Sequence, residues 1–567
     1  MLKSFPIRLL LALCAAALLF TAGCEDDPKA SITDVAKDQA SDSTADEAAD
    51  DLTPTDLQEA ESFDQGPEDT AIDEEFDFGP PPETSMVPVD GEPNMATAAT
   101  GWYRGDLHYH TTYSGDAANQ GGDELSMAIK IADAYRDPQF LAAYPQLAGN
   151  SLDFQAVTDH RTAAAIADPL FVHDYLILVP GEEYGGGGHA GVWGIQSFVD
   201  HEIQGTETQN QRHNDAIAET HAQGGLFSVN HPADGSNWLW DTPDIDAVEV
   251  FNGPWAGFAS GSTLEGLDAD VAANGVENPF IRDAILNGGS GFNDKALRFW
   301  QNHLSHGLHI PVVGGSDRHM IVPAGIPTTY VHHPRDPAFD GLEGQALGYP
   351  GIIKGISEGS TFISRSPFGP QVELEAEDAD GSRYPLGSAL PGPGTYTVHI
   401  RVSRAHRGWM QLIAYDDTTG ASFGAQVVYE QYIPSDLATD TFEWTVGATG
   451  GWLHGMVFET IVAEALPAEI QGTLAILSQP ATANGLGPLI DALTRLVSLD
   501  DLLYPWRCNP SRWQAWHPQC MPIDDEPMGT FYLPNELERL LHISFKDGVA
   551  TDRNVGAVTS AFFVPAQ

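Results

Sequence analysis

The sequence predicts a mixed α/β chain: a parallel β-sheet closed into a barrel by alternating helices, followed by a smaller antiparallel β domain. Three observations carry this expectation. From Trp102 to about Pro367, short apolar runs alternate with helical patterns, as strand–helix–strand units do. Residues suited to holding metal stand at the C-terminal ends of several of those runs. A barrel gathers its active site there, whereas an open sheet concentrates one at a switch point. Past Gly369-Pro370 the texture changes to stretches of period two with Gly/Pro turns between them.

The chain has 567 residues, enough for two or more domains and a sizeable core. Lys3 and Arg8 accompany an apolar stretch, Leu9 to Phe20, that is too short to span a bilayer. Thr21-Ala22-Gly23-Cys24 then resembles a bacterial lipobox. Residues 1–23 therefore read as a lipoprotein signal peptide and Cys24 as the lipidated residue; a plain secretory signal is the alternative. Residues 24–98 read as an acidic, disordered tether. Between Glu25 and Glu92 the only cations are Lys29 and Lys37, and aromatics are few, so the segment cannot bury enough apolar surface to offset its chain entropy. The alternative is a metal-collecting acidic tail. The expected location is the bacterial cell envelope, outside the cytoplasm, with the bilayer as partner through Cys24. The formal net charge of -54 disfavours a long nucleic acid as partner.

Residues 99–368 carry the barrel pattern. Gly105-Asp106-Leu107 leads into His108-Tyr109-His110, and a helix is expected over Glu124–Ala132. A strand over Phe154–Val157 ends in Thr158-Asp159-His160, and one over Leu176–Val179 ends in Gly181-Glu182-Glu183. A helix over Asn214–Gln223 precedes the strand Leu226–Asn230 and His231-Pro232. Val248-Glu249-Val250-Phe251 leads to Asn252, which either reaches the site or satisfies a strand end. A helix over Asp294–His303 precedes the strand Ile310–Gly315 and Asp317-Arg318-His319. His213 and His303 are among the histidines with no ligand spacing and read as surface or helix residues.

Residues 369–470 read as a β-sandwich-like domain, with alternation at Val372–Ala376, Tyr396–Val402, Gln411–Tyr415 and Phe442–Val446. Residues 471–545 read as an insertion with a helix near Leu489–Leu499. Of four cysteines, Cys14 lies in the signal and Cys24 in the lipobox, which leaves Cys508 and Cys520 for a disulfide in an oxidising compartment. A zinc site there lacks a fourth ligand. Residues 546–567 supply a closing strand over Val558–Val564.

Residues i and i+2 of a strand face the same side, so His108 with His110, and Asp317 with His319, can each address one metal. Imidazole with carboxylate and no thiolate suits manganese, zinc or iron in a water-activating site. Arg161 and Arg318 flank these residues and either bind an anionic substrate or pair with Asp159 or a neighbouring acid.

Asp106-Leu107-His108-Tyr109-His110, Thr158-Asp159-His160, Pro180-Gly181-Glu182-Glu183, Asn230-His231-Pro232 and Gly315-Ser316-Asp317-Arg318-His319 resemble the ordered motifs of the PHP (polymerase and histidinol phosphatase) superfamily. The resemblance covers about half the chain. Thr328-Thr329-Tyr330-Val331 and Gly359-Ser360-Thr361-Phe362-Ile363, with the β domain behind them, look most like its CehA/McbA-type metallohydrolases. The resemblance implies a distorted barrel of seven β/α units and two or three divalent metals. It implies one metal on His108, His110, Glu183 and Asp317, and a second on Glu183, His189 and His231. A third would lie on Asp116, His160 and His319. The family reads Ser-Asp-Gly where this chain has Ser114-Gly115-Asp116, so its acid is displaced by one residue. The implied activity is a phosphoesterase with metal-bound hydroxide as nucleophile, acting on a small-molecule or ester substrate. Hydrolysis of carbamate, amide or carboxylic esters is the alternative, and a non-catalytic metal-binding surface protein a further one.

Overall fold

The computed structural model describes residues 84–566 except 121–122, 134–135, 137–150, 186, 235–236, 253–261, 289–291, 320–323, 334–347, 368, 406–407, 417–424 and 460–553. The expected signal peptide with Cys24, most of the tether, and the insertion with Cys508 and Cys520 lie outside the described residues.

Strands and helices alternate as the apolar periodicity requires. β1 (Val87–Pro88) and β2 (Trp102–Asp106) precede α1 (Gly115–Gln120), α2 (Leu125–Asp133), β3 (Phe154–Val157), β4 (Ile177–Gly185) and β5 (His189–Trp193). Next come α3 (Gln209–Ala222), β6 (Leu226–Val229), β7 (Ala247–Asn252), α4 (Leu264–Asn274), α5 (Pro279–Asn287) and α6 (Phe292–Ser305). β8 (Val312–Gly315), β9 (Thr328–His332), α7 (Gly348–Ser357) and β10 (Thr361–Ser364) complete the run. Local chemistry sets the helix starts. Thr208 begins α3 with a capping box to Gln211, Thr263 accepts from Gly266 N ahead of α4, and Asn278 caps α5 with Pro279 just inside it.

The main sheet is mixed rather than wholly parallel. β2, β3 and β4 pair in parallel, as do β6, β7 and β8. β5 runs antiparallel between β4 and β6, and β9 antiparallel beside β2. The connection from Gly185 to His189 is too short for the crossover helix that a parallel pair needs, so β4 and β5 form a hairpin. The expected closure also differs. Among the described residues no backbone ladder joins β8 to β9 or β10. Hydroxyls bridge that edge instead: Gly314 N donates to Thr329 Oγ1 at 2.9 Å, Thr329 Oγ1 to Gly314 O at 2.6 Å, and Thr361 Oγ1 to Val312 O at 2.7 Å. Leu107, Phe154, Val179, Trp193 and Val313 fill the interior of this sheet, with Ile352 and Ile356 of α7 packed against them.

The second region comprises β11 (Gln371–Glu377), β12 (Arg383–Pro385), β13 (Gly394–Ser403), β14 (Trp409–Asp416), β15 (Gln426–Tyr432), β16 (Leu437–Val446), β17 (Gly451–Glu459), β18 (Asn554–Thr559) and β19 (Phe562–Val564). One sheet has the order β1-β16-β13-β11-β12; facing it, β15-β14-β17-β18 runs on through β10 into the main sheet. Val372, Val398, Leu412, Leu453 and Ala557 belong to the core between them. Two expected boundaries move. The single closing strand is two, β18 and β19, broken at Ser560-Ala561. The tether does not extend to residue 98: β1 pairs with β16, and Met86 and Ala96 are buried in the β-domain core.

Candidate metal centre

The segments past the strand ends are held by buried carboxylates acting on backbone. Asp106 Oδ1 accepts from His108 N at 3.1 Å and Ser316 N at 2.9 Å, and its Oδ2 accepts from Gly325 N at 2.8 Å. Asp159 likewise takes Thr111 N at 2.6 Å and Thr111 Oγ1 at 2.8 Å. Burial pushes the Asp159 carboxyl up to about 6, against the pull of those bonds from Thr111. Gly315 lets the two metal-facing segments touch: a Cβ there would meet His108 Cβ at 2.3 Å and His108 N at 2.7 Å.

Nine side chains meet, with Glu183 among them at the centre. His108 Nε2 lies 3.1 Å from His110 Nε2, 3.2 Å from Glu183 Oε1 and 3.3 Å from Asp317 Oδ1. His110 Nε2 is 3.1 Å from Asp317 Oδ1 and 3.4 Å from Glu183 Oε2. Glu183 Oε1 also lies 3.1 Å from His231 Nε2 and 3.3 Å from His189 Nδ1, and its Oε2 lies 2.8 Å from His160 Nδ1. Asp116 Oδ2 stands 3.0 Å from both His160 Nε2 and His319 Nε2. The displaced acid of Ser114-Gly115-Asp116 is accommodated because Asp116 occupies the first turn of α1. Within His108–His110–Glu183, His160–Glu183–His189 and His110–His160–His319, the donor atoms all lie within 4.8 Å of one another.

The electrostatics fit a shared cation. Burial disfavours charge on His110, and His319 and His160 add to it, lowering this imidazole to about 3. Burial opposes charge on His108 too, but Asp317, Glu183 and Glu249 outweigh it and hold its pKa well above the usual range. Glu183 and Asp317 are held well below the carboxylate range in spite of burial, by His160 and His108 for the first and by His108 and His110 for the second. Both rings aim their Nε2 atoms at one place, beside Asp317 Oδ1. Buried Glu183 Oε2 finds no donor with hydrogen-bond geometry, although His160 Nδ1 is only 2.8 Å away. Donors arranged off a hydrogen-bond axis around a common point are suited to holding metal ions. The backbone is strained at the same place: Arg161, His231 and Asp317 have φ of 53°, 25° and 47°. Such conformations cost about 1–3 kcal/mol each and persist where the surroundings enforce them.

All nine expected metal-facing residues are brought together. The two arginines are not alike. Arg318 is fully buried and points away from the cluster, its Nε 2.8 Å from Asp123 Oδ2 and 3.0 Å from the Tyr109 hydroxyl. Of the two readings left open for Arg318, the structure shows the pairing with a neighbouring acid, Asp123, and not a guanidinium turned to a substrate anion at the cluster; past the end of β8 the left-handed turn at Asp317 separates the two side chains. Arg161 is exposed beside Gly185, at the rim. Sequence reasoning missed Glu249, Asp234 and Asn230. Glu249 Oε1 lies 3.0 Å from His108 Nδ1, Asp234 Oδ2 lies 2.7 Å from His231 Nδ1, and Asn230 Nδ2 lies 3.3 Å from Glu183 Oε1. Glu249 alone left a signal, an acid between valines in a buried strand. Asn252 does reach the site, with Nδ2 3.2 Å from Asp317 Oδ2.

No family model and no curated protein matches this chain. Among solved structures it is similar to the crystal structure of PsfC from Pseudomonas syringae PB-5123, at 16% identity and a TM-score of 0.24, over 42% of this chain and 84% of that one. A likeness of that size carries no argument about fold or function.

Proposed function

We propose that this chain is a metal-dependent hydrolase of the PHP superfamily, acting on phosphoesters. One observation carries the reading: six histidines, Asp116 and Asp317 gather from separate segments around Glu183, which belongs to two groupings able to hold a metal and also meets His231. The mixed sheet, with hydroxyls bridging its open edge, fits a distorted barrel of the PHP kind. His108, His110, Glu183 and Asp317 would hold one divalent metal; Glu183, His189 and His231 a second; Asp116, His160 and His319 a third. Manganese, zinc or iron suits this donor set. Bound metals supply positive charge for the developing oxyanion and a water of lowered pKa.

The chain's own residues decide the approach. The His108 and His110 side chains are 1% and 0% exposed, whereas those of His160, His189 and Asp116 are 20%, 18% and 36% exposed. Substrate therefore enters from the His160–His189–Asp116 side. Arg161 stands on that side and offers its guanidinium to the anionic part of the substrate. The lipobox-like Thr21-Ala22-Gly23-Cys24 supports a lipid-anchored enzyme outside the cytoplasm.

The test is elemental analysis of the full-length protein and of His108→Ala after loading with manganese, iron and zinc, each then assayed on an aryl phosphate and an aryl carbamate. The reading expects two or three metals per chain, phosphate release, and at least a 100-fold loss of rate in the variant. Carbamate turnover without phosphate turnover would move the substrate class. A wild-type protein that takes up no metal would remove the enzyme reading altogether.

A further inference from the structure

We infer that Glu249 is a positioning residue, which fixes the His108 ring so that its Nε2 meets the metal. The inference rests on the metal reading above. Glu249 sits in the middle of β7, where Val248 and Val250 belong to the apolar core, and it is itself 2% exposed. A carboxylate there is costly unless both oxygens are engaged. Both are. Oε1 lies 3.0 Å from His108 Nδ1. Oε2 accepts from His231 N at 3.2 Å and from Asn252 Nδ2 at 3.1 Å. The same Asn252 nitrogen lies 3.2 Å from Asp317 Oδ2. One acid thus touches His108 and the His231 backbone directly, and reaches Asp317 through Asn252.

Its effect on His108 is specific. A carboxylate against Nδ1 keeps the proton on that nitrogen and leaves the Nε2 lone pair for the opposite side, where His110, Glu183 and Asp317 converge. The Asn230 amide also approaches His108 Nδ1, at 3.3 Å, but the charge-assisted contact with Glu249 is shorter and stronger. His108, His231 and Glu249 offer ligand atoms within 4.8 Å of one another, so direct ligation by Glu249 is the competing role. The geometry favours positioning: Oε2 is taken by two N–H donors, and Oε1 faces the nitrogen of His108 turned away from the cluster.

The experiment uses the full-length protein, its Glu249→Gln variant, and Glu249→Ala as a second probe. Each is stripped with a chelator and titrated with zinc(II) against a chromophoric competitor, and melting is recorded stripped and loaded. The expected result is zinc affinity lowered by about 10- to 100-fold at one site. The number of zinc ions bound at saturation stays unchanged, and zinc raises the variants' melting temperature less than the wild type's. One zinc fewer at saturation would make Glu249 a ligand and overturn the positioning role. Equal affinity, or a melting deficit identical in stripped and loaded protein, would also overturn it, leaving a structural residue. These outcomes leave the metal reading intact, whereas a wild type that binds none of zinc, manganese or iron overturns both.

Discussion

Asp317 and Arg318 are adjacent in the chain and serve opposite faces. Asp317 meets His108 and His110, while Arg318 forms a buried pair with Asp123. Removing one partner of such a pair leaves an uncompensated charge, so Arg318→Ala is expected to lower stability by about 3–5 kcal/mol, read by urea unfolding. Arg161→Ala, at the exposed rim, is expected to leave stability within about 0.5 kcal/mol and to raise KM for an aryl phosphate roughly tenfold. A reversal of these two results would return Arg318 to the substrate. Sequence period explains what was legible here. His-x-His put His108 and His110 on one side, and the structure sends the intervening Tyr109 to Asp123 at 2.9 Å. The roles of Glu249 and Asp234 were not legible, because a carboxylate that orients an imidazole has no spacing of its own. Each is defined by a ring far along the chain or by the left-handed turn at His231.

At the scale of the element, β4 shows how local rules place a ligand. The apolar run Leu176–Val179 announced a strand, but pairing with β5 extends it to Gly185 and buries both of its glutamates. Alternation then divides them: Glu183 faces the histidines, and Glu182 turns away and accepts from Val199 N at 2.8 Å. The end of β8 depends equally on a missing side chain. Gly315→Ala places a methyl against the Cβ and backbone nitrogen of His108, and neither can yield by rotating a side chain. The expected outcome is a shift of the His108 segment. Affinity for one metal should fall at least tenfold while far-ultraviolet circular dichroism stays native. Unchanged metal affinity would show that the segment relaxes without cost.

At the scale of the whole molecule, the two regions expected from sequence share one continuous sheet. β18 pairs with β10 on one side and with β17 on the other, and Ser560 Oγ ties in the same corner, accepting from Val312 N and sharing a hydrogen bond with Thr361 Oγ1. A chain ending at residue 368 would lose β18 and expose the edge of β10. Such a truncation is expected to aggregate rather than fold as a separate barrel, measured by solubility and light scattering. Buried histidines add a pH dependence. His213, His303 and His454 are held at about 4, by burial above all. In the unfolded chain they titrate near 6.5. Between pH 6.5 and about 4 the unfolded state therefore binds more protons than the folded one, so stability falls as pH drops through that window and is fully regained above it. Melting temperature should fall by several degrees over that range, and less so in His454→Gln. His213 and His303 lie on helices as expected, yet buried, because the faces they occupy pack against the core. Sequence by itself determined several of the strands and helices and the residues fit to hold a metal, since period and residue chemistry are local. Tertiary structure alone decided the hairpin of β4 and β5, the shared sheet, the burial of Arg318 and the place of Glu249. Each of these depends on which distant segment a side chain or strand edge meets, and no local pattern encodes that.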